Sequence, residues 1–584
     1  MVSFRLWHGC VTALALVVTV TSQQTGFHPD WPRWCGKVYE PGYPNFDPGG
    51  QTLPPTPDPS APLLNVQLKP RYSLYLSTET HAEIIVTAPL TSHLGTPWPP
   101  TNSTSPRSNH LIFSIHIVNS SYPLIQATIP VNTTSNFSFP LSLLPPPSLT
   151  PINLVLYGAP EPGHPTYTAL SSILYLPDKS SGSITRIDNL KGGLYFRNLA
   201  TNQTFQPFIP YGFYASDGNF LHVSDGNISD TKLAIKKYAD LGLNAMIPLT
   251  TTGYGGKVGE ILDYLTEVGI KWMYNLRENY KNLTYVAENV NWAKEQEGVW
   301  GYWSVDEPDG WQDPFELPMN VKNLINRLDP YHVVAVTLNC QNYYFEQYSS
   351  AGDIIMTDPY PIGINATFSK WGTPCNATYG DCGCDNCFGV VQDVPIRLDT
   401  LSTYESWLGL WPKTKMHNPQ SFHGENYWLR DPSPEEEDVM NVLGVMHGSK
   451  GVISWVWPAS DVLGQTHGEL AKVLTREPVL RFLVSIGGSG PEKVQVEVTG
   501  VGSGIEVVDG AYWVSEDGKK MLVSVVNGGY VDVESRVEVP VGVNATGVER
   551  TVLGRVKWRL EGGRLIADRL PALATCMVIL TLKG

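Results

Sequence analysis

Hydrophobic and polar positions fall into three successive patterns along the chain. Between residues 63 and 186, apolar and polar residues alternate in short runs such as 82–87, 111–118 and 152–156, separated by Ser, Pro and Asn clusters. A period of two with that punctuation predicts an N-terminal β-sandwich. From 187 to 488, strand-like apolar runs alternate with amphipathic runs of helical period. Strands are expected at 207–214, 244–249, 270–276, 299–305, 333–338, 354–357, 415–418 and 451–457, each followed by a helix. These β-α units predict the α/β class and a (β/α)8 TIM barrel. A doubly wound sheet would carry a Gly-rich phosphate loop after its first strand, and no such loop is present. From 489 to 584 the short alternating runs return, with a hairpin turn at 516–519, and predict a smaller C-terminal β-sandwich. Residues 23–62, rich in Pro and Gly, read as an extended lead-in.

Composition narrows the function. Lys and Arg number 40 against 55 Asp and Glu, a net charge of -15. An acidic chain without a basic run argues against nucleic acid and anionic membranes as partners. Residues 1–22 carry Arg5, an apolar run at 11–20 and small residues at 20–22, the layout of a signal peptide rather than a membrane span. No later segment reaches spanning length. The expectation is a secreted, extracellular protein. Sequons at Asn102, Asn119, Asn132, Asn136, Asn202, Asn227, Asn282, Asn365, Asn376 and Asn544 agree with export and glycosylation. Beyond Ser22 the chain holds seven cysteines, and Cys375, Cys382, Cys384 and Cys387 share one loop. In an exported chain their spacing favours two local disulfides over zinc, whose sites use paired C-x2-C knuckles. An odd total leaves at least one thiol unpaired or joined to another chain.

In a barrel of this kind the chemistry occupies the C-terminal strand ends. Strand four ends in Asp306-Glu307-Pro308 behind Tyr302 and Trp303, strand six in Asp358-Pro359-Tyr360, and strand seven leads through Asn418 and Gln420 to Glu425. A carboxyl at the mouth of a barrel, walled by aromatic rings, suits sugar chemistry. Ring faces stack on pyranoses, and an apolar wall raises the acid's pKa until it can donate a proton. The plainer alternative is that Asp306 or Glu307 caps the following helix. Pro308 is expected to hold Glu307 in extended backbone geometry. Trp311, Tyr360, Trp428 and Trp457, near strand ends, are candidate sugar-binding rings, with Asp306 beside them. No zinc helix, nucleophile elbow or Walker loop is present, so neither metal nor cofactor is expected.

At this point the sequence resembles the clan A superfamily of glycoside hydrolases, in which strand four ends in Asn-Glu-Pro and the Glu is the acid/base. Gly192-Gly193-Leu194-Tyr195, the 208–212 stretch, Asp358-Pro359-Tyr360-Pro361, Pro434-Glu435-Glu436 and 447–451 are similar to a little-characterised branch of that superfamily. The resemblance spans about 190–485 and implies a barrel glycosidase with Glu307 as general acid/base and a carbohydrate as partner. The chain departs from the pattern at strand seven, where clan A enzymes place a nucleophilic Glu and this chain has Asn418-Pro419-Gln420. Glu425 is the first candidate for the second carboxylate and Asp358 the second, since some other barrel glycosidases pair acids from strands four and six. Two functions stay open: a secreted glycoside hydrolase acting on a poly- or oligosaccharide, and a non-catalytic carbohydrate-binding or cell-surface protein on a decayed barrel. A second carboxylate facing Glu307 distinguishes them.

Overall fold

The computed structural model describes residues 33–34, 37–38, 50–98, 109–161, 166–223, 226–250, 253–311, 313–340, 342–365, 387–424, 427–484, 489–498 and 507–583. Residues 1–22, Glu425, Cys375, Cys382, Cys384, Asn102 and Asn376 lie outside the described residues. Cys387 is disulfide-bonded, and Cys576 is a buried thiol outside any disulfide.

The centre of the molecule is a closed barrel of eight parallel strands. We name them β1 (Tyr211–Ser216), β2 (Ala245–Leu249), β3 (Lys271–Asn275), β4 (Val299–Asp306), β5 (Val333–Leu338), β6 (Ile354–Thr357), β7 (Thr414–His417) and β8 (Ser449–Trp457). The helices that follow them are α1 (Ile228–Asp240), α2 (Lys257–Glu267), α3 (Leu283–Ala293), α4 (Glu316–Leu328), α5 (Phe345–Ser349), α6 (Asp393–Leu408), α7 (Pro434–Met446) and α8 (Asp461–Leu474). The α/β barrel expected from the period of the apolar runs is therefore present. β1 pairs with β8 from Tyr211 against Val452 onward, which closes the ring.

Local chemistry fixes the helix starts. Asn227 caps α1 by accepting from the Ser229 N–H, and Asn282 caps α3. At α7, Ser433 and Glu436 form a reciprocal capping box, with Pro434 in the first turn. The outer faces of the strands pack on the helices through residues such as Tyr211, Phe213, Val305 and Val452. The inner faces meet in a second apolar cluster containing Trp300, Trp303, Met356, Met416 and Ile453.

The segment expected to be one strand at 207–214 is two. Gln206–Phe208 joins Ile184–Ile187 and Leu194–Arg197 in a three-stranded antiparallel sheet, and β1 begins only at Tyr211. Pro210 lacks the N–H that a continuous ladder needs. Ile187, Leu194, Phe196 and Phe208 belong to the inner cluster, so this small sheet plugs the N-terminal end of the barrel. The opposite end stays open as the mouth.

Sheets flank the barrel on both sides in sequence. The four strands Pro123–Pro130, His110–Ile117, Ile152–Ala159 and Tyr167–Ile173 face the three strands Thr134–Pro140, His81–Thr87 and Gln67–Pro70 across a shared core. After the barrel, a five-stranded sheet built on Lys520–Asn527 and Thr575–Leu582 packs on a four-stranded one built on Val537–Pro540 and Arg564–Ala567. The turn at 516–519 joins Val508–Val514 to Lys520–Asn527, with Gly518 at φ 66°.

Candidate active site

β4 delivers Asp306 and Glu307 to the mouth. The Glu307 N–H donates to the Thr337 carbonyl at 3.0 Å and so extends the β4–β5 ladder, while its carbonyl accepts from the Trp311 N–H at 3.0 Å. Between these bonds Glu307 takes φ 47°. This corrects the extended geometry expected from Pro308. A following proline disfavours the right-handed helical region, and here the residue adopts the left-handed one instead, at about 1–3 kcal/mol for a non-glycine residue. The two flanking backbone bonds hold it there.

β6 delivers Asp358. The Glu307 carboxyl is hydrogen-bonded to the Asp358 carboxyl and to the Asn339 side chain just past β5. Burial and the charges of Asp358 and Asp306 push the Glu307 pKa well above the usual carboxylate range. Burial likewise raises Asp358, to about 7, with the Asp306 charge adding to the rise and the Glu307 hydrogen bond and Arg397 opposing it. Of the two, Glu307 is raised the further, which favours Glu307 as the holder of a proton between them. Asp358 Oδ1 is buried without a hydrogen-bond partner among the described residues.

Asp306 is occupied differently from the sugar contact expected of it. Arg277, two residues beyond β3, donates from Nη1 to Asp306 at 2.8 Å and from Nε to Glu278 at 2.8 Å. Its guanidinium lies 5.0 Å from the Trp303 ring centre and 5.5 Å from that of Trp455. Burial raises the Asp306 pKa, and Arg277 offsets part of the rise. Asp306 is thereby a fixed charge beside the pair.

Further residues lock the frame. Buried Asp309 accepts from the backbone N–H groups of Gly310, Asn339 and Cys340 at 3.0, 3.2 and 2.8 Å, which ties the loop after β4 to the end of β5. Burial raises its pKa to about 8. Arg397 of α6 donates to the Asn339 carbonyl at 3.0 Å. On the floor, Trp303 Nε1 donates to Thr337 Oγ1 at 2.9 Å, and Asn418 Nδ2 donates to Tyr214 OH at 3.0 Å and to the Ile453 carbonyl at 2.8 Å. The end of β7 thus presents an amide, and Asn418 Oδ1 has no partner among the described residues. Gln420 holds the loops after β6 and β7 together through both backbone groups of Ile362.

The aromatic candidates divide. Tyr360 lies near the pair, with Asp358 and Glu307 both acting on its phenol. Trp428 is buried and donates to the Tyr360 carbonyl at 3.0 Å, so it supports Tyr360 from behind. Trp311 is 38% exposed on the loop after Glu307. Trp457 is placed elsewhere: its ring packs on Phe213 and Tyr238 at 5.1 Å, against the helical layer, because it falls on the outward face of β8. Trp455, two residues earlier, is the β8 ring that meets Tyr214 and Arg277 at the mouth. At i and i+2 the two rings would share a face in a regular strand; a bulge separates them, since Phe213 pairs with Ser454 but Ala215 with Trp457. No sequence pattern marks Asn339, Asp309 or Arg397.

No family model matches the chain, and no curated protein matches it in sequence. Among solved structures it is similar to the GH51 arabinofuranosidase from Xanthomonas axonopodis pv. citri, with a TM-score of 0.41, 10% identity, and coverage of 64% of this chain and 96% of that one. A β-glucuronidase from Ruminococcus gnavus in complex with D-glucuronic acid gives a TM-score of 0.32 at 12% identity, over 68% of this chain and 62% of that chain. The Parabacteroides merdae β-glucuronidase gives 0.31 at 10% identity, over 89% and 74%. The fold itself rests on the strand-by-strand closure of the barrel.

Proposed function

We propose that the protein is a secreted glycoside hydrolase that cleaves O-glycosidic bonds of a poly- or oligosaccharide with Glu307 as general acid/base and Asp358 as its partner carboxylate. The observation that carries this reading is the hydrogen-bonded Glu307–Asp358 pair at the barrel mouth, with Glu307 raised the further. Glycoside hydrolysis needs one carboxyl that stays protonated and one that ionises, and two half-buried acids in contact meet that need because ionising one opposes ionising the other. Sugar entry replaces the carboxyl–carboxyl bond. Glu307 then protonates the leaving oxygen as the glycosidic C–O bond breaks, the freed Asp358 carboxylate stabilises the cationic sugar centre, and water then bonds to that carbon while Glu307 takes up its proton. Tyr360, Trp455 and Trp311 offer ring faces around that point, and Arg277 keeps Asp306 fixed as it happens. A second carboxyl beside Glu307 supports a hydrolase over a binding protein on a decayed barrel.

Export and glycosylation belong to the same proposal. The 1–22 pattern supports export. The eight sequon asparagines within the described residues, Asn119, Asn132, Asn136, Asn202, Asn227, Asn282, Asn365 and Asn544, are all exposed, as glycan attachment requires. No helix among the described residues is long and apolar enough to cross a membrane.

The test is a screen of the full chain, expressed with its leader in a eukaryotic host, on a panel of neutral, amino and acidic glycans beside Glu307→Gln and Asp358→Asn. Cleavage by the parent and its loss in both variants supports the reading. Cleavage that survives in both overturns it.

A further inference from the structure

At the plugged end of the barrel, opposite the mouth, a cleft separates the N-terminal sheets from the barrel. It consists of two adjoining cavities of about 470 and 820 Å3 that share Asn189 and residues 410–414. Lys69, Lys322 and Lys413 line the first, and Lys191, Lys415 and Lys450 join Lys413 in the second. Asp353 is the only carboxylate lining the first, and no Asp or Glu lines the second, among the described residues. In a chain of net charge -15 this concentration of cations runs against the whole.

The lysines are only partly compensated. Lys322 meets Asp353 at 3.0 Å and Lys415 meets Glu405 at 2.6 Å. Lys413 and Lys450 bond neutral carbonyl oxygens, those of Ser349 and Gly352 at 2.5 and 2.8 Å and of Leu483 at 2.7 Å. Lys69 and Lys191 make no side-chain hydrogen bond or ion pair among the described residues. Burial, reinforced by the charges of Lys322 and Lys69 and only partly opposed by Asp353 and Glu405, lowers Lys413 to about 7. A separate feature points to a ligand as well: Thr185, 1% exposed and bordering the first cavity, has a hydroxyl with no hydrogen-bond partner among the described residues. Trp411 borders both cavities, its ring fixed by an Nε1 bond to the Asn189 carbonyl at 2.9 Å.

We propose that this cleft is a second binding site, separate from the mouth, for an acidic saccharide chain bearing carboxylate or sulfate groups. Lys69 and Lys191 supply the charge contacts and the Trp411 ring the sugar platform. Facing walls of low dielectric focus the lysine field into the cleft, which lets an acidic protein hold an anionic polymer. The ring selects a sugar over other polyanions by stacking on its C–H face.

The experiment is affinity electrophoresis and calorimetry of the full chain with polygalacturonate and dextran sulfate, with neutral dextran and polyglutamate as controls, at low and high salt. Retention by one or both acidic glycans, weakened by salt, is expected; the two polymers tell carboxylate from sulfate. Lys69→Ala/Lys191→Ala should weaken it several-fold and lower the slope of log affinity on log salt by up to about 1 per lysine. Lys69→Arg/Lys191→Arg should restore it, Trp411→Ala should weaken it, and Glu307→Gln should leave it unchanged. The proposal is overturned by absent retention, by retention indifferent to the double alanine variant, by loss in Glu307→Gln, or by equal retention on polyglutamate. None of these outcomes depends on hydrolysis at the mouth.

Discussion

The Glu307 and Asp358 carboxyls meet where β4 and β6 end, and each is raised by burial, Glu307 the further. Glu307→Gln keeps a donor for Asp358 and the shape of the side chain but delivers no proton. Turnover on a natural glycan should fall by about 10²–10⁴-fold with thermal unfolding little changed. Asp358→Asn should fall at least as far. A substrate with a good leaving group needs little protonation and should recover activity in Glu307→Gln but not in Asp358→Asn. Steady-state rates on the two substrate types decide it.

The same pair sets a pH dependence. Asp358 must be ionised and Glu307 protonated, and both have raised pKa values. The acidic limb of kcat/KM should therefore lie above the ordinary carboxylate range, toward the value of about 7 held by Asp358, as a property of the coupled pair. The basic limb belongs to Glu307 and should vanish in Glu307→Gln. A profile flat from pH 5 to 9 in the parent would contradict the assignment.

Contact between the carboxyls also bears on stereochemistry. Retaining enzymes hold their acids about 5–5.5 Å apart and inverting ones about 6.5–9.5 Å apart, to leave room for water. Acids that start in contact need the smaller movement to reach the retaining spacing. The first-formed product should keep the anomeric configuration of the substrate, as read by NMR before mutarotation. Inversion would assign Asp358 the role of base toward water.

Much of this arrangement was legible in the residues, and the remainder was hidden for physical reasons. A period of two switching to 3.6 is a local property, so the alternating units of the barrel were visible along the chain. Asp306-Glu307-Pro308 follows directly from where β4 ends. The meeting of Glu307 with Asp358 depends on barrel register, which no local pattern carries. The same holds for Arg277 on Asp306, and for Arg397 reaching Asn339 from α6. Trp457 was misplaced because the bulge between Ser454 and Trp457 turns its ring toward the helices, and no local pattern announces that bulge. The φ of Glu307 was misjudged because a following proline removes only one of the two helical regions.

Arg277 tests the frame around the pair. It holds Asp306 and Glu278 at once and lies against Trp303 and Trp455. Arg277→Met should leave Asp306 without its counter-charge. The stability loss should be about 1–2 kcal/mol, below the roughly 3–5 kcal/mol of a fully buried pair, because both partners keep about a fifth of their surface. Activity should fall by up to about 10²-fold through displacement of the β4 end. Arg277→Lys should rescue little, since an ammonium lacks the planar fork that meets two carboxylates. Chemical denaturation and kcat/KM for the three proteins check this.

His447 makes stability depend on pH through the junction of barrel and C-terminal sheets. It follows α7, where the helix dipole favours a cation, and its side chain is 6% exposed. Nδ1 lies 3.0 Å from Asp399 of α6, and Nε2 lies 2.7 Å from Asp509 of the strand Val508–Val514. Lys493, on the strand Ser489–Lys493, also reaches Asp399. Burial alone would lower the His447 pKa, but the charges of Asp399 and Asp509, with the Nε2 hydrogen bond to Asp509, outweigh it, and the net shift is upward. A base raised on folding stabilises fully below its unfolded value of about 6.5 and loses that contribution as pH rises through the folded value. Asp399, lowered on folding, contributes above its own unfolded value of about 3.9 and loses it in acid, so the junction is tightest between the two. His447→Gln should therefore destabilise by about 1–3 kcal/mol at pH 5.5 and by less at pH 8.5, where the parent has already lost the charge. Thermal melts of both proteins across that range read the difference. A gap that stays constant or widens with pH would mean that His447 is neutral in the folded protein and acts by packing alone.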